Sequence, residues 1–254
     1  MKIISYNLNG IRAAVTKGLY NWLKEENPDI LCIQETKAQP EQIDEIEFKR
    51  LGYKCYWFSA QKKGYSGTGI VTKIEPKHVE YGMGIEKYDD EGRVIRADFD
   101  DFSVISVYHP SGTSGDERQA FKMQWLEDFT EYIENLRKDF PKLIINGDFN
   151  ICRLWIDINN PEKHEDVSGF LPEEREWFQR FVDLGYVDSF REFSNEAKQY
   201  SWWSYRGGSY QKNLGWRIDY NMVTYNLKDQ LRSAFIRPEL RFSDHCPVGI
   251  EIFD

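Results

Sequence analysis

Five segments of this sequence carry carboxylate, amide or imidazole side chains, most of them where a short apolar run ends. Each residue alone has an ordinary explanation, because Asn and Asp after a strand commonly form turns. Together they supply four carboxylates, two or three amides and one imidazole. That set can hold Mg²⁺ through oxygen ligands while a water attacks a phosphorus centre. The residues are Asn7, Asn9, Glu35, Asp148, Asn150, Asp219, Asp244 and His245.

The elements that must position these residues are short strands. Apolar or β-branched runs predict buried strands at 2–6, 30–33, 69–72, 103–108 and 143–145. Segment 55–108 contains strand after strand with Gly-rich turns and no long helix, so simple βαβ alternation fits poorly. Within it, 65–69 predicts a tight turn, because it lacks the full glycine fingerprint of a phosphate loop.

Three helices are predicted from the spacing of apolar residues. The clearest spans about 116–140, where apolar side chains recur every three or four residues, with Ser114 and Glu117 as its capping box. The others span 172–184 and 41–51. Adjacent strands and one-sided helices together favour two packed sheets with helices on their outer faces. No repeat, linker or charge block marks a boundary, so we expect 1–254 to form a single domain.

Composition narrows the class of protein. The net charge of −9 argues against nucleic acid, but an acidic enzyme can keep one basic face, and clustered carboxylates suit divalent cations. No stretch approaches the ~20 apolar residues of a membrane helix, and the N-terminus has no apolar signal region. Four dispersed cysteines without a C-x-x-C pair indicate free thiols rather than a zinc site. We therefore expect a cytoplasmic protein with no membrane partner.

A family resemblance rests on five segments distributed over residues 2–250. They resemble the ordered motifs of the exonuclease III family of apurinic/apyrimidinic endonucleases, in the endonuclease/exonuclease/phosphatase superfamily. The segments read YNLNGIR, LCIQETK, NGDFN, GWRIDY and SDHCP. The resemblance implies an α/β fold, a four-layered α/β sandwich in which two packed mixed β-sheets are flanked by helices.

The substrate class depends on the longer motifs. The Gln-Glu, Gly-Asp-x-Asn and Ser-Asp-His elements are similar in phosphoinositide phosphatases, sphingomyelinases, deadenylases and pancreatic-type deoxyribonucleases. The segments QETK, YSWWSY and KNLGWRIDY resemble the DNA-repair branch. This implies a monomeric Mg²⁺-dependent hydrolase, with Mn²⁺ as a substitute, that cuts duplex DNA 5′ to abasic sites and trims 3′ ends. The alternatives are a phosphodiesterase for inositol or lipid phosphates and a catalytically weakened DNA-binding relative.

The resemblance also implies the metal ligands and the residues around the attacking water. Glu35 would bind the metal, with Asn9 and Asp244 contributing directly or through water. A salt bridge is the ordinary alternative for Glu35, since Lys37 is two residues away. Asp148 would orient or deprotonate the water. Its neighbour Asn150 would hold that water or the phosphate.

Four further residues match catalytic positions of the family. His245 would pair with Asp219, which fixes its tautomer and favours the imidazolium that stabilises charge on the phosphate. Tyr108 would donate its hydroxyl to a phosphate oxygen, although a half-buried Tyr commonly only packs. Asn7 would bond within the Asp219/His245 pair or to the phosphate.

The remaining matches concern the substrate. Trp202 and Trp216 would line a pocket for a base-less deoxyribose, although for Trp202 a packing role is nearly as well supported. Arg12, Lys37 and Arg206 are candidate phosphate contacts on one basic face.

The sequence departs from the family pattern at two places. Ser111 stands where relatives carry an amide, so it would have to supply that phosphate contact. Leu154 and Trp155 replace small or polar residues after the NGDFN motif, which could alter substrate fit near Asp148.

Overall fold

Twelve strands form two six-stranded sheets within residues 1–253, the part of the chain that this computed structural model describes. The strands are β1 (Lys2–Asn7), β2 (Ile30–Gln34), β3 (Lys54–Phe58), β4 (Thr68–Thr72), β5 (His78–Tyr81), β6 (Val94–Asp98), β7 (Ser103–Tyr108), β8 (Leu143–Asp148), β9 (Tyr186–Asp188), β10 (Asp219–Thr224), β11 (Leu231–Ile236) and β12 (Val248–Ile252). The helices are α1 (Ile11–Thr16), α2 (Leu19–Glu26), α3 (Ile46–Arg50), α4 (Glu86–Asp89), α5 (Asp116–Asp139), α6 (Pro172–Asp183) and α7 (Ser189–Phe193).

Both sheets are mixed. The first has the order β11-β12-β1-β2-β4-β3 and the second the order β5-β6-β7-β8-β10-β9. Strands β1 and β2 are parallel, as are β7 and β8, and the other neighbouring strands run antiparallel. Carboxyl ends of parallel strands meet at one edge of a sheet. The loops that follow β1, β2, β7 and β8 therefore start close together.

Apolar side chains fill three layers of core. Ile3 and Ile30 of the first sheet pack against Val104 and Ile144 of the second. Because side chains alternate along a strand, the opposite faces of the same strands pack against helices. Helices α1, α2 and α3 cover the first sheet, and α5 and α6 cover the second. The predicted four-layered sandwich is confirmed.

Two details of the predicted helices were wrong. Helix α5 spans nearly the predicted range, but Gly115 is its N-cap and no side chain caps it. The predicted helix at 41–51 is interrupted, and only Ile46–Arg50 is α-helical. Asp44 accepts a hydrogen bond from the backbone N–H of Ile46 (2.9 Å), and the intervening backbone does not continue the preceding 3₁₀ turn. A short polar side chain competes in this way with helical hydrogen bonding.

Segment 55–108 agrees with its prediction, since it contains β3 to β7 and one four-residue helix. Residues 65–67 lead into β4, which begins at Thr68, one residue earlier than predicted, with Ser66 and Gly67 at positive φ. None of the helices in the described part of the chain combines the length and apolar character that crossing a membrane requires.

Candidate active site

The ends of the two sheets are joined by one buried amide. Asn7, the last residue of β1, donates from Nδ2 to Glu35 Oε1 and to Asp148 Oδ2, both at 2.9 Å. Glu35 follows β2 in the first sheet, whereas Asp148 ends β8 in the second. Asn7 therefore bridges two carboxylates, whereas the sequence placed it on the phosphate or within the Asp219–His245 pair.

An imidazole lies between Asp148 and a further carboxylate, Asp219. His245 Nδ1 is 2.8 Å from Asp219 Oδ2, and Nε2 is 3.7 Å from Asp148 Oδ2. Burial lowers the pKa of His245, but Asp219 and Asp148 outweigh burial and raise it to about 10. The ring is therefore an imidazolium at neutral pH. Ser201 donates to the same Asp219 oxygen at 2.6 Å.

Asp148 is held from both sides. Its Oδ2 accepts from Asn7, and its Oδ1 accepts from the backbone N–H of Asn150 at 2.8 Å. Burial and the neighbouring carboxylates of Asp219 and Glu35 raise the pKa of Asp148 to about 8, although the His245 charge opposes them. An acid with such a pKa is suited to proton transfer near neutral pH.

Oxygen atoms that could bind a metal converge beside these groups. Ligand atoms of Glu35, Asp148 and His245 all lie within 4.8 Å of one another. Because His245 is protonated, the two carboxylates are the better ligands. Asn9 and Asp244, the other predicted ligands, bond to each other, with Nδ2 of Asn9 donating to Oδ1 of Asp244 at 2.9 Å.

A cationic side chain already lies against these oxygens. Lys37 Nζ is 2.9 Å from Glu35 Oε2 and also donates to Asn9 Oδ1. The salt bridge considered as the alternative for Glu35 is thus present, but Glu35 also bonds to Asn7. The Lys37 ammonium group thus contacts oxygens of two predicted ligands, Glu35 and Asn9. Because these oxygens already hold one cation, the residues fit Mg²⁺.

Two tryptophans, Trp202 and Trp216, form an aromatic wall of a cavity of about 300 Å³ that is also lined by Glu35, Asp148, Asp244 and His245. The rings of Trp202 and Trp216 meet edge to face, with centroids 5.9 Å apart. Trp202 Nε1 donates to Asp244 Oδ2 at 2.9 Å, which lowers the pKa of Asp244 together with His245 against the effect of burial. The aromatic wall therefore adjoins the charged groups of the cavity directly.

A glycine allows the backbone to approach the aromatic wall closely. Gly169 has a φ of +100°, and a Cβ added there would lie 2.8 Å from Cζ3 of Trp216 and 3.3 Å from the Asn150 carbonyl oxygen. No side chain fits at this close approach. Segment 167–169 therefore packs directly on Trp216.

Tyr108 and Ser111 line the same cavity. The guanidinium carbon of Arg93 lies 4.6 Å from the centroid of the Tyr108 ring, and its Nη1 donates to the Tyr108 carbonyl at 2.9 Å. Burial raises the pKa of Tyr108 well above its usual value, so the hydroxyl stays protonated and can donate. Ser111 Oγ lies 3.0 Å from Thr113 Oγ1.

Eight residues that the sequence singled out for the site or its surroundings lie outside the cavity lining, and four of them, Asn7, Asn9, Lys37 and Asp219, bond to residues that belong to it. Arg12 and Arg206 are exposed, the first on α1 and the second in the loop after Trp203. Leu154 and Trp155 do not line the cavity either, and Trp155 belongs to a separate surface groove.

Sequence reasoning missed two residues that support the site. Ser201 accepts from the backbone N–H groups of Ile218 and Asp219 as well as donating to the Asp219 carboxylate. Its signal was its place within the aromatic run beside Trp202. Arg93 is buried behind Tyr108, and nothing in the local sequence distinguishes it from a surface arginine.

A carboxylate cluster around an imidazolium, at one end of a four-layered sandwich, is the arrangement of a metal-assisted phosphoesterase. A model of the endonuclease/exonuclease/phosphatase family matches residues 4–245, and the chain belongs to this family. The chain is 45% identical to the exodeoxyribonuclease of Bacillus subtilis over 254 residues, which is 99% of each protein. It is 41% identical to a DNA-(apurinic or apyrimidinic site) endonuclease of Dictyostelium discoideum, covering 99% of this chain and 70% of that protein.

A solved structure also matches the fold of this chain. The 3′ phosphatase NExo from Neisseria, bound to a product DNA hairpin, matches with a TM-score of 0.92 and 33% identity, covering 100% of this chain and 99% of that one. The resemblance inferred from the five sequence motifs is confirmed.

Proposed function

We propose that this protein is a DNA-repair nuclease that hydrolyses the phosphodiester bond 5′ to an abasic site in duplex DNA and also trims 3′ ends. One observation carries the proposal. Asp148 and His245 line a single cavity together with Trp202 and Trp216, so groups for hydrolysis lie beside an apolar surface. Relatives that act on abasic DNA and on DNA ends support the same reaction.

Asp148 is the base for the attacking water. Its carboxylate accepts the proton, and the bonds from Asn7 and the Asn150 backbone hold its two oxygens in fixed directions. Attack places negative charge on the non-bridging phosphate oxygens. His245 donates from Nε2 to one of these oxygens, while Asp219 holds Nδ1.

Tyr108 and Asn150 hold the phosphate from the remaining sides of the cavity, with the Tyr108 hydroxyl as donor. Glu35, with Asn9 and Asp244 as further ligands, would hold Mg²⁺, or Mn²⁺ in its place, which would supply positive charge that stabilises the pentavalent transition state.

The aromatic wall selects the damaged nucleotide. Trp202, Trp216 and the close-packed Gly169 leave a narrow apolar space, which suits an extruded sugar without its base. A normal nucleotide would need unstacking and would then meet these walls.

Outside the cavity, DNA phosphates contact basic and hydroxyl groups. Arg12 and Arg206 are exposed and free to reach a duplex, and Ser111 lines the cavity mouth. Lys37 exchanges its bond to Glu35 for a phosphate when DNA binds.

We further propose that residues 1–254 form one catalytic domain that acts as a monomer. Four free cysteine thiols support a cytoplasmic location.

The test is cleavage of a duplex with one tetrahydrofuran abasic analogue, with and without Mg²⁺, beside trimming of an undamaged recessed end. Trp216→Ser should lower kcat/KM on the abasic duplex by about tenfold or more, because it removes the apolar wall. Trimming should change less than about threefold.

Trp155→Ser is the matched control, since Trp155 lies in a different groove. It should leave both activities unchanged. Equal losses on both substrates from Trp216→Ser would reduce that residue to packing. Hydrolysis of a phosphoinositide headgroup without DNA incision would overturn the repair function itself.

A further inference from the structure

A buried ion pair lies directly behind the cavity and takes part in no step above. Lys122 of α5 and Glu174 of α6 meet with Nζ and Oε1 2.6 Å apart, and both side chains are 0% exposed. Within the described part of the chain, every other hydrogen-bond partner of these two side chains is an uncharged group. The pair thus joins two helices of the outer layer through a single contact between full charges.

The lysine end holds the turn after β8. Lys122 Nζ donates to the Asn150 carbonyl at 2.9 Å. Asn150 has a φ of +52°, a conformation that costs energy for a residue with a side chain. Its N–H is the donor that orients Asp148, and its Nδ2 donates to the His109 carbonyl at 2.9 Å. Lys122 therefore stabilises the strained turn that aims the base.

The glutamate end holds the aromatic wall. Glu174 Oε2 accepts from the backbone N–H groups of Gly169 at 2.6 Å and Leu171 at 3.1 Å. Gly169 is the residue that packs on Trp216. Movement of the Glu174 carboxylate would move the Gly169 backbone and would therefore change the width of the cavity.

Stability alone does not explain such a pair. Two charges removed from water lose their hydration, and neutral residues of similar volume are often at least as stable in their place. What neutral residues cannot reproduce is a donor long enough to reach the Asn150 carbonyl while an acceptor at position 174 holds the Gly169 backbone. We propose that Lys122 and Glu174 are positioning residues that set the separation between the Asp148–Asn150 turn and the Gly169–Trp216 wall. The proposal rests on the proposed function for its choice of substrate.

The experiment uses the double variant Lys122→Met/Glu174→Gln. It removes both charges at once, so no unpaired charge stays buried, and the amide introduced by Glu174→Gln keeps an acceptor for Gly169. We expect cooperative unfolding and an unchanged near-ultraviolet circular dichroism spectrum. At a temperature where the variant is fully folded, kcat should fall by about 10- to 100-fold, because small displacements of a base cost that much. KM should change less than about threefold, since the Asn150 amide keeps its bond to the His109 carbonyl and the other phosphate contacts are untouched.

Both substrates, abasic duplex and recessed 3′ end, should lose kcat to the same degree, because Asp148 serves both. Trp216→Ser differs by affecting mainly the abasic duplex. The matched control is Arg96→Met/Asp98→Asn, which removes another buried ion pair, on β6, whose residues do not line the cavity. It should leave kcat unchanged.

An unchanged kcat in the folded double variant, with only a lower Tm, would overturn the proposal. If that variant does not fold, Lys122→Gln/Glu174→Gln keeps polar groups at both positions, and its shorter side chain at 122 should still lose the Asn150 contact and kcat. Failure of the wild type to cut the abasic duplex would instead count against the proposed function, and kcat on the recessed end would still decide the positioning role.

Discussion

Two buried charge clusters lie within a few residues of each other along the chain and differ in how their charges are balanced. The first, the arginine cluster, centres on Arg217, whose guanidinium forms paired hydrogen bonds with Asp157 (2.8 and 2.9 Å) and with Asp188 (3.0 and 2.6 Å). Arg191 and Arg153 complete it, so that two carboxylates face three guanidinium groups.

The second, the carboxylate cluster, is the one to which we assign catalysis. Four carboxylates face one imidazole and one ammonium group, which are His245 and Lys37. They are Glu35, Asp148, Asp219 and Asp244.

The pKa values show what the difference means. Burial raises the pKa of Asp157, but Arg217 and Arg191 outweigh burial and hold it below its usual value. Asp148 is equally buried, yet its pKa rises to about 8. The fold compensates both carboxylates of the arginine cluster completely, so they support structure. It does not fully compensate the four of the carboxylate cluster, which raises the pKa of Asp148 and is the condition for binding a cation and moving a proton.

The largest expected effect comes from removing one charge of the carboxylate cluster. Glu35→Gln should reduce cleavage of abasic duplex by about 10³-fold or more, because it removes a metal ligand's charge while its volume is unchanged. The measurement is kcat at low millimolar Mg²⁺, with circular dichroism to confirm the fold. Glu134→Gln is the control, since Glu134 pairs with Arg137 at the surface of α5. Wild-type rates in the Glu35 variant would remove Glu35 from the metal site.

The imidazolium should contribute less than the metal ligand. His245→Asn should lower kcat by on the order of 10²-fold with little change in DNA affinity, because the charge acts on the transition state. Single-turnover rates and equilibrium binding of the abasic duplex separate the two quantities. A loss of affinity in proportion to the loss of rate would make His245 a phosphate anchor.

The smallest expected effect is on the free energy of unfolding. The contributions of the two clusters to it should depend on pH in opposite directions. The pKa of His245 is raised from 6.5 to about 10, so its contribution is complete below pH 6.5 and is lost as the pH rises towards 10. The pKa of Asp157 is lowered, so its contribution is present above pH 3.8 and is lost as the pH falls below that value.

Urea unfolding of the wild type, His245→Asn and Asp157→Asn across this range measures both contributions. The difference between wild type and His245→Asn should shrink with rising pH, and the difference for Asp157→Asn should shrink with falling pH. If both differences in the free energy of unfolding shrank in the same direction of pH, the proposed contrast between the two clusters would be wrong.

Residues at strand ends were the predictable part of the site. Asn7, Glu35 and Asp148 follow runs whose β-branched composition predicts strands, and the ends of parallel strands share an edge. The sequence therefore indicated which side chains gather at the site. It did not indicate which of them form hydrogen bonds with each other, because the contact between Asn7 and Asp148 depends on how two separate sheets pack.

Charged residues in helices were the unpredictable part. Lys122 and Glu174 lie in helices rich in charged residues, where a lysine or a glutamate is almost always exposed. Their burial follows from the packing of α5 on α6 and from the two loops beneath, which no local pattern encodes. The same limit explains the interrupted helix at 41–51, where local spacing favoured a helix and the Asp44 side chain prevented it.

The Asn7 amide has a consequence for how the molecule fails on heating. Its two hydrogen bonds join carboxylates carried by different sheets, and such bonds weaken steeply with small changes in distance and angle. A slight shear between the sheets would separate Glu35 from Asp148 while the apolar layers between each sheet and its helices stayed packed. Inactivation by heat then precedes melting of the strands, and adaptation of this nuclease to a new growth temperature would act on the packing between the sheets rather than on the catalytic residues.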